Sequence, residues 1–279
     1  MIVFVGGTGD GALAHAIRPD GTGLRPLPLP ERCEEPVELA PDGATVLCWR
    51  YGGPRGRSHL EAVELDGGGF EHVRLPVGEN IWPELSPDGE HVVFLHARGE
   101  AFDVFELWRA RRDGSGARRL VARDSGPATW SPDGERLAFV RVAGGPGCGG
   151  DLVVMDADGG EQHVIASRSS GPQWSPDGTR IAFLGGACDD PAVWTVPADG
   201  GEPTLVARNA FGAHTVAWSP DGTEIAFVRR AKPLGPGWSV RIVVAPANGG
   251  APRPIGPFIA DSPASVFWLP TAAAAAATR

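Results

Sequence analysis

No apolar run in the chain approaches twenty residues, so no segment can cross a membrane as a helix. Cysteine is scarce: four in 279 residues are too few for a disulfide-stapled framework. Lysine is nearly missing. Lys232 stands alone among basic residues that are otherwise arginine, a bias expected of a GC-rich bacterial genome rather than of a function. The opening residues, MIVFVGG, carry neither a basic region nor a long apolar region with a cleavage site, so no secretory signal is visible. The expectation is a cytoplasmic protein, or a periplasmic or secreted one if the sequence is that of a trimmed mature chain. Positive charge is in deficit as well. A net charge of −9 repels phosphate backbones and argues against general nucleic-acid binding.

Glycine (40) and proline (27) are abundant instead, and both break helices, which sets a helix bundle aside. The glycines have no three-residue period, which excludes collagen. With 42% hydrophobic residues the chain can bury a real core, and its length suits one large all-β domain.

An internal repeat decides the architecture. Leu-Ala-Pro-Asp-Gly ends at Gly43 and Leu-Ser-Pro-Asp-Gly at Gly89; Trp-Ser-Pro-Asp-Gly ends at Gly134, Gly178 and Gly222. The aspartates Asp42, Asp88, Asp133, Asp177 and Asp221 are 46, 45, 44 and 44 residues apart. Each turn is followed by a short apolar run such as Val92-Val93-Phe94 or Ile225-Ala226-Phe227, too short for a helix and suited to a buried strand. About halfway through each unit lies a second turn, from Asp20-Gly21 through Asp113-Gly114 to Asn248-Gly249, the strongest short hairpin signal. Each unit is therefore four antiparallel strands, A to D, and such sheets with two apolar faces must stack as propeller blades. Six second turns stand against five Pro-Asp-Gly turns. The chain begins in a second strand at Ile2–Val5, and the missing inner strand appears as residues 265–270. Six four-stranded blades are predicted over residues 1–270, closed by the C-terminal strand completing the N-terminal blade. Residues 271–279 read as a tail.

The succession Trp-Ser-Pro-Asp-Gly, Ile-Ala-Phe, Asp-Gly-Gly resembles the TolB-type repeat, found in the periplasmic TolB propeller and in the propeller domains of prolyl-oligopeptidase relatives. The resemblance implies the fold, since the matching residues build turns and core. TolB's N-terminal domain has no counterpart, and neither has the peptidases' α/β-hydrolase domain. No Gly-x-Ser-x-Gly elbow occurs anywhere, so neither activity carries over.

Several motifs have bland readings. Gly6-Gly7-Thr8-Gly9-Asp10-Gly11 looks like a dinucleotide loop, but a hairpin at Pro19-Asp20-Gly21 follows where a helix would be needed. The Pro-Asp-Gly aspartates are expected to bond turn backbone rather than a metal. Cys148 with Cys188-Asp189-Asp190 lacks metal-ligand spacing, and no metal or organic cofactor is predicted. Cys148 and Cys188, in the B–C loops of adjacent blades, are either two unlinked thiols, the favoured reading, or a bridge or one reactive thiol; Cys48 is expected as a core residue and Cys33 as unpaired.

The long, variable connections are the B–C loops, which points to one functional rim, the mouth of the central channel. One equivalent position just past each B strand holds Arg50, His96, Arg141, Gly185 and Arg229. The arginines either pair with carboxylates of neighbouring blades or form a collar for an anionic ligand. Entrances to the inner strands add Glu34, Glu35, Asn80, Trp82, Ser125, Ser169, His214 and Asp261; Tyr51 and Trp238 sit where strands meet loops. Two functions fit. The first is a binding protein for a small molecule, peptide or protein at the mouth, acting as a monomer. Arg50, Arg141, Arg229, Asn80, Trp82, Asp261, Tyr51 and Trp238 would contact that ligand. The second is a stand-alone lyase, isomerase or cyclase in bacterial specialised metabolism, acting on a small anionic or polar molecule. There His214, Glu34, Glu35 or His96 would move protons.

Overall fold

The computed structural model describes residues 1–5, 14–27, 29, 33, 35–40, 44–50, 59–65, 68–75, 79–98, 104–142, 149–187, 190–210, 216–230, 240–259 and 265–269. These residues form an all-β propeller of antiparallel sheets, and no helix occurs among them. None is therefore long and apolar enough to cross a membrane.

The strands run in hairpin order. β1 (Ile2–Val5), β2 (Ala14–Ile17) and β3 (Arg25–Pro26) open the chain, followed by β4 (Glu35–Leu39), β5 (Thr45–Arg50), β6 (His59–Glu64) and β7 (Phe70–Val73). Then come β8 (Glu79–Leu85), β9 (His91–Arg98), β10 (Val104–Arg111) and β11 (Arg118–Val121). β12 (Ser125–Trp130), β13 (Arg136–Arg141), β14 (Gly150–Asp156), β15 (His163–Trp174), β16 (Arg180–Ala187), β17 (Asp190–Pro197) and β18 (Thr204–Arg208) form one seven-stranded sheet. β19 (Val216–Trp218), β20 (Glu224–Arg230), β21 (Val240–Pro246) and β22 (Arg253–Ile259) make another, and β23 (Ser265–Trp268) is the last strand.

β23 returns to pair antiparallel with β1, with Ile2 opposite Trp268 and Val5 opposite Ser265, as the repeat count requires. The sheet order is β23-β1-β2-β3, so the chain's two ends share one four-stranded sheet. The seven-stranded sheet differs from the expected separate blades. No loop intervenes between the fourth unit's outer strand and the fifth unit's inner strand, and twelve continuous residues of β15 serve as both. The strand bends rather than breaks: its register with β16 shifts between Ser170 and Gln173, and Arg168 (φ 54) and Gly171 (φ 55) adopt left-handed backbone.

The Pro-Asp-Gly turns explain themselves locally. Asp221 Oδ1 accepts bonds from Ser219 Oγ (2.6 Å), Thr223 N (3.1 Å) and Thr223 Oγ1 (2.7 Å), while Glu224 N donates to Ser219 Oγ (2.9 Å). Gly222 N closes the turn on Ser219 O with φ 69, a backbone that favours glycine. These bonds, the Ser219 hydroxyl first, hold the Asp221 carboxyl down to about 2. Ser86/Asp88, Ser131/Asp133 and Ser175/Asp177 repeat the device. These four aspartates are thus consumed by turn architecture, and Asp42 lies outside the described residues. Past each turn the strand is buried on both faces, as in β13, where Leu137, Ala138, Phe139 and Val140 are all covered.

Two compact units emerge, residues 1–28, 145–152 and 164–279, and residues 29–144 and 153–163. The first unit's core clusters centre on Trp218, Phe227 and Val243, and on Ile2, Phe4 and Val266. The second unit's centre on Phe139, Leu107 and Trp130, and on Phe94, Leu60 and Leu85.

The second unit also corrects the cysteine reading. Cys33 and Cys48 are joined by a disulfide with Cα atoms 5.1 Å apart. Pro36 lies opposite Cys48 in the β4–β5 pairing, which carries the segment entering β4 past Cys48. Cys48 fills the slot that Phe94 and Phe139 occupy in other sheets. Its smaller side chain leaves room for the cross-link among Val46, Val63, Leu29 and Leu65. Among the described residues no cysteine is free, and Cys148 and Cys188 lie outside them.

Candidate functional site

The third sheet brings predicted residues together. Register sets Asn80 of β8, His96 of β9 and Glu106 of β10 directly across from one another, hence on one face. His96 Nδ1 lies 2.9 Å from Asn80 Oδ1. A carbonyl oxygen only accepts, so with the amide in this orientation Nδ1 carries the proton. In the neutral imidazole Nε2 is then an acceptor. Trp108 packs edge-on against the ring at 5.8 Å.

Glu106 is 2% exposed and supports this row. Its carboxylate accepts bonds from Trp108 Nε1 (3.0 Å), Arg119 (2.9 Å) and Arg98 (3.3 Å). Burial alone would raise its pKa; the bonds from Trp108, Arg119 and Arg98 outweigh that and hold it below the usual range. Glu106, Arg98 and Arg119 are absent from the candidates that the sequence offers. Their signal was a charged residue at an inward position of the Val104–Trp108 run.

Trp82, two residues beyond Asn80, is held in unusual backbone. Its φ is 47, the residue is 53% exposed, and its ring lies 6.5 Å from Phe105. The register of β8 on β9 shifts between Ile81 and Glu84, a bulge that re-aims the side chains between them. Left-handed backbone at a bulky residue costs roughly 1–3 kcal/mol and gathers at functional sites.

Below the bulge, Glu84 accepts bonds from Thr129 Oγ1 (2.8 Å) and Trp130 N (2.8 Å), and its own carbonyl accepts from Trp130 Nε1 (3.3 Å). Burial pushes its carboxyl from an ordinary 4.5 up to about 7, against the lowering effect of the bonds from the Trp130 backbone N–H and the Thr129 hydroxyl. A carboxyl with a higher pKa folded than unfolded binds its proton more tightly in the folded chain. Its stabilising contribution is complete below about pH 4.5 and is lost as the pH rises through about 7. The difference between 4.5 and about 7 corresponds to at most about 3 kcal/mol, an upper bound for a carboxyl that keeps part of its surface open. Denaturant unfolding from pH 4.5 to 8 should show this decline, and Glu84→Gln should flatten it. An equal slope in both proteins would remove Glu84 as its source.

Arg141 and Arg229 stand at equivalent positions in β13 and β20, each in its own unit. Each stacks over the phenylalanine two residues before it, Arg141 on Phe139 at 5.7 Å and Arg229 on Phe227 at 5.5 Å. Arg141 donates to Gln162 Oε1 (2.7 Å) and Arg229 to the Arg208 carbonyl (2.8 Å), so among the described residues neither makes the carboxylate pair weighed above. Burial lowers the Arg229 pKa, and its buried Nε has no partner there. Ser125 and Ser169 are buried and donate to backbone carbonyls. Glu35 begins β4 and Arg50 ends β5, both placed by backbone alone. Glu34, Tyr51, His214, Trp238 and Asp261 lie outside the described residues. Among the described residues no group of three acidic, histidine or cysteine side chains could hold a metal.

No protein-family model matches the chain. An uncharacterized protein of Agrobacterium fabrum is 31% identical over 85 residues, covering 29% of this chain and only 27% of that protein's length. A candidate TolB from Agrobacterium tumefaciens superposes with a TM-score of 0.65 at 21% identity, over 91% of this chain and 87% of that one. TolB from Acinetobacter baumannii gives 0.68 at 18% identity, over 97% of this chain and 66% of that one. At these identities the likeness is one of fold, and TolB propellers are structural neighbours of the chain.

Proposed function

We propose that residues 1–270 form a single six-bladed binding propeller. It takes a small polar or anionic molecule, or a peptide, at the loop-bearing end of its sheets. The blade count treats the seven-stranded sheet as two blades sharing β15, added to four four-stranded sheets. The binding reading is carried by Trp82, a large aromatic held half exposed in costly backbone on the strand that also bears Asn80. An exposed indole beside a polar row offers an apolar platform with orienting hydrogen bonds. The Cys33–Cys48 cross-link supports an oxidising compartment over the cytoplasm.

A second reading, a lyase, isomerase or cyclase working at the same residues, is favoured by the His96–Asn80 bond. A tautomer fixed at Nδ1 leaves Nε2 to accept a proton from a substrate. The other residues expected on this rim keep the roles proposed from the sequence.

The test screens the protein by thermal shift against carboxylates, phosphorylated sugars and short peptides. Trp82→Ala and His96→Ala should each weaken a hit at least about tenfold, with Arg123→Gln as an inert surface control. Unchanged affinity in both variants discards the site. Chemical conversion of the hit that stops in His96→Ala while binding persists selects the enzyme.

A further inference from the structure

The β10–β11 hairpin concentrates positive charge at its turn end, away from the B–C loops and from the Trp82–His96 row. Arg109 and Arg118 lie directly opposite each other across the two strands, and Arg111 lies opposite His91. Strand alternation puts all four on one face. There they line a cleft of about 220 Å³ together with Ala110 and Gly116.

Like charges directly across two strands destabilise a sheet. The usual remedy is a carboxylate paired directly with one of them; among the described residues Asp88 and Asp158 act on Arg109 through space without such a pair. Among the described residues no acidic group lies within 4 Å of Arg109, Arg111 or Arg118. The nearby Asp88 and Asp158 are engaged by their own turns, Asp88 Oδ1 with Ser86 Oγ (2.5 Å) and Glu90 N (3.0 Å), Asp158 Oδ1 with Gly160 N (3.1 Å). Arg109 is rigidly presented, stacked on Trp130 at 5.3 Å and donating to the Ala157 carbonyl at 3.0 Å. A guanidinium has five N–H donors, so most of its capacity remains for a ligand. The local field is felt by His91, whose pKa is lowered first by burial and then by Arg109. In a protein of net charge −9, three arginines and a histidine gather here, and Asp88, Asp158, Glu90 and Asp113 act on them only through space, without a direct ion pair among the described residues.

We propose that this cleft binds a tetrahedral oxyanion, as free phosphate or as the phosphate of a small monoester. Planar guanidinium forks match phosphate oxygens two at a time, and a doubly charged anion relieves the Arg109–Arg118 repulsion. The cleft's size limits the ligand to a small molecule. The site is independent of the Trp82–His96 row and stands if that row fails.

The experiment titrates the protein with sodium phosphate against sodium chloride at matched ionic strength, followed by calorimetry and thermal melting. Glucose 6-phosphate forms a parallel arm. Phosphate should give a saturable heat and a rise in Tm that chloride does not. Tighter binding of glucose 6-phosphate identifies a monoester as the ligand, and equal or weaker binding identifies free phosphate. Arg118 is exposed and makes no ion pair among the described residues, so Arg118→Gln should fold and, without phosphate, melt no lower than wild type. It should bind phosphate at least tenfold more weakly, while Arg123→Gln binds as wild type does. No saturable response beyond chloride, or equal affinity in Arg118→Gln, overturns the site.

Discussion

Truncation after residue 264 is expected to abolish cooperative folding. β23 makes four register pairs with β1, and Leu269 N donates to Met1 O at 2.8 Å. Val266 and Leu269 are 2% and 1% exposed, and Val266 and Trp268 pack with Ile2 and Phe4. A net hydrogen bond contributes about 1 kcal/mol and a fully buried aliphatic side chain roughly 1.5–3 kcal/mol. Losing the strand therefore removes on the order of 5 kcal/mol or more, comparable with the whole stability of a typical domain. It also turns β1 into an open edge that invites association. Circular dichroism melts and size-exclusion chromatography should show a broad or absent transition and aggregates, whereas a chain ending at residue 270 should melt like the full one. A truncated protein melting within a few degrees of the intact chain would mean that the β1–β23 pairing contributes little.

Loss of the Cys33–Cys48 bond should cost about 3 kcal/mol. The cross-link spans 15 residues, and closing a loop of that length removes about this much free energy from the unfolded ensemble in the chain-entropy account. For a chain of this size the melting temperature should fall by roughly 5–10 °C in reductant. A Cys33→Ala/Cys48→Val double variant should start lower and ignore the reductant. Peptide mapping of oxidised protein should recover the two cysteines linked. Full alkylation of both without prior reduction would break the pairing and, with it, the case for an oxidising compartment.

Local signals carried most of the architecture. The Asp-Gly turns act over four residues, and the apolar runs beside them have one use, burial on two faces. Even the pairing of β23 with β1 followed from a strand missing at one end of a repeat and present at the other. The continuity of β15 did not follow, because Ser169 marked only the entrance to an inner strand and nothing in residue order said that the preceding outer strand runs straight into it.

The site was legible in type but not in partnership. His96 and Asn80 were singled out for lying near strand ends, and register then joined them. Glu106 was hidden because a lone glutamate in an apolar run gives no hint of the two arginines and the indole that accept it into the interior. Glu84 looked like an ordinary inner-strand residue until Thr129 and Trp130 closed over it.

Repeat period, turn chemistry and the closing strand were written in residue order, because each depends on neighbours a few positions apart or on counting. The disulfide, the covered carboxylates and the arginine-lined cleft were not. Each is a meeting of side chains from different strands, and which ones meet is set by cross-strand register and the packing of sheet on sheet, a geometry that spacing along one chain does not contain.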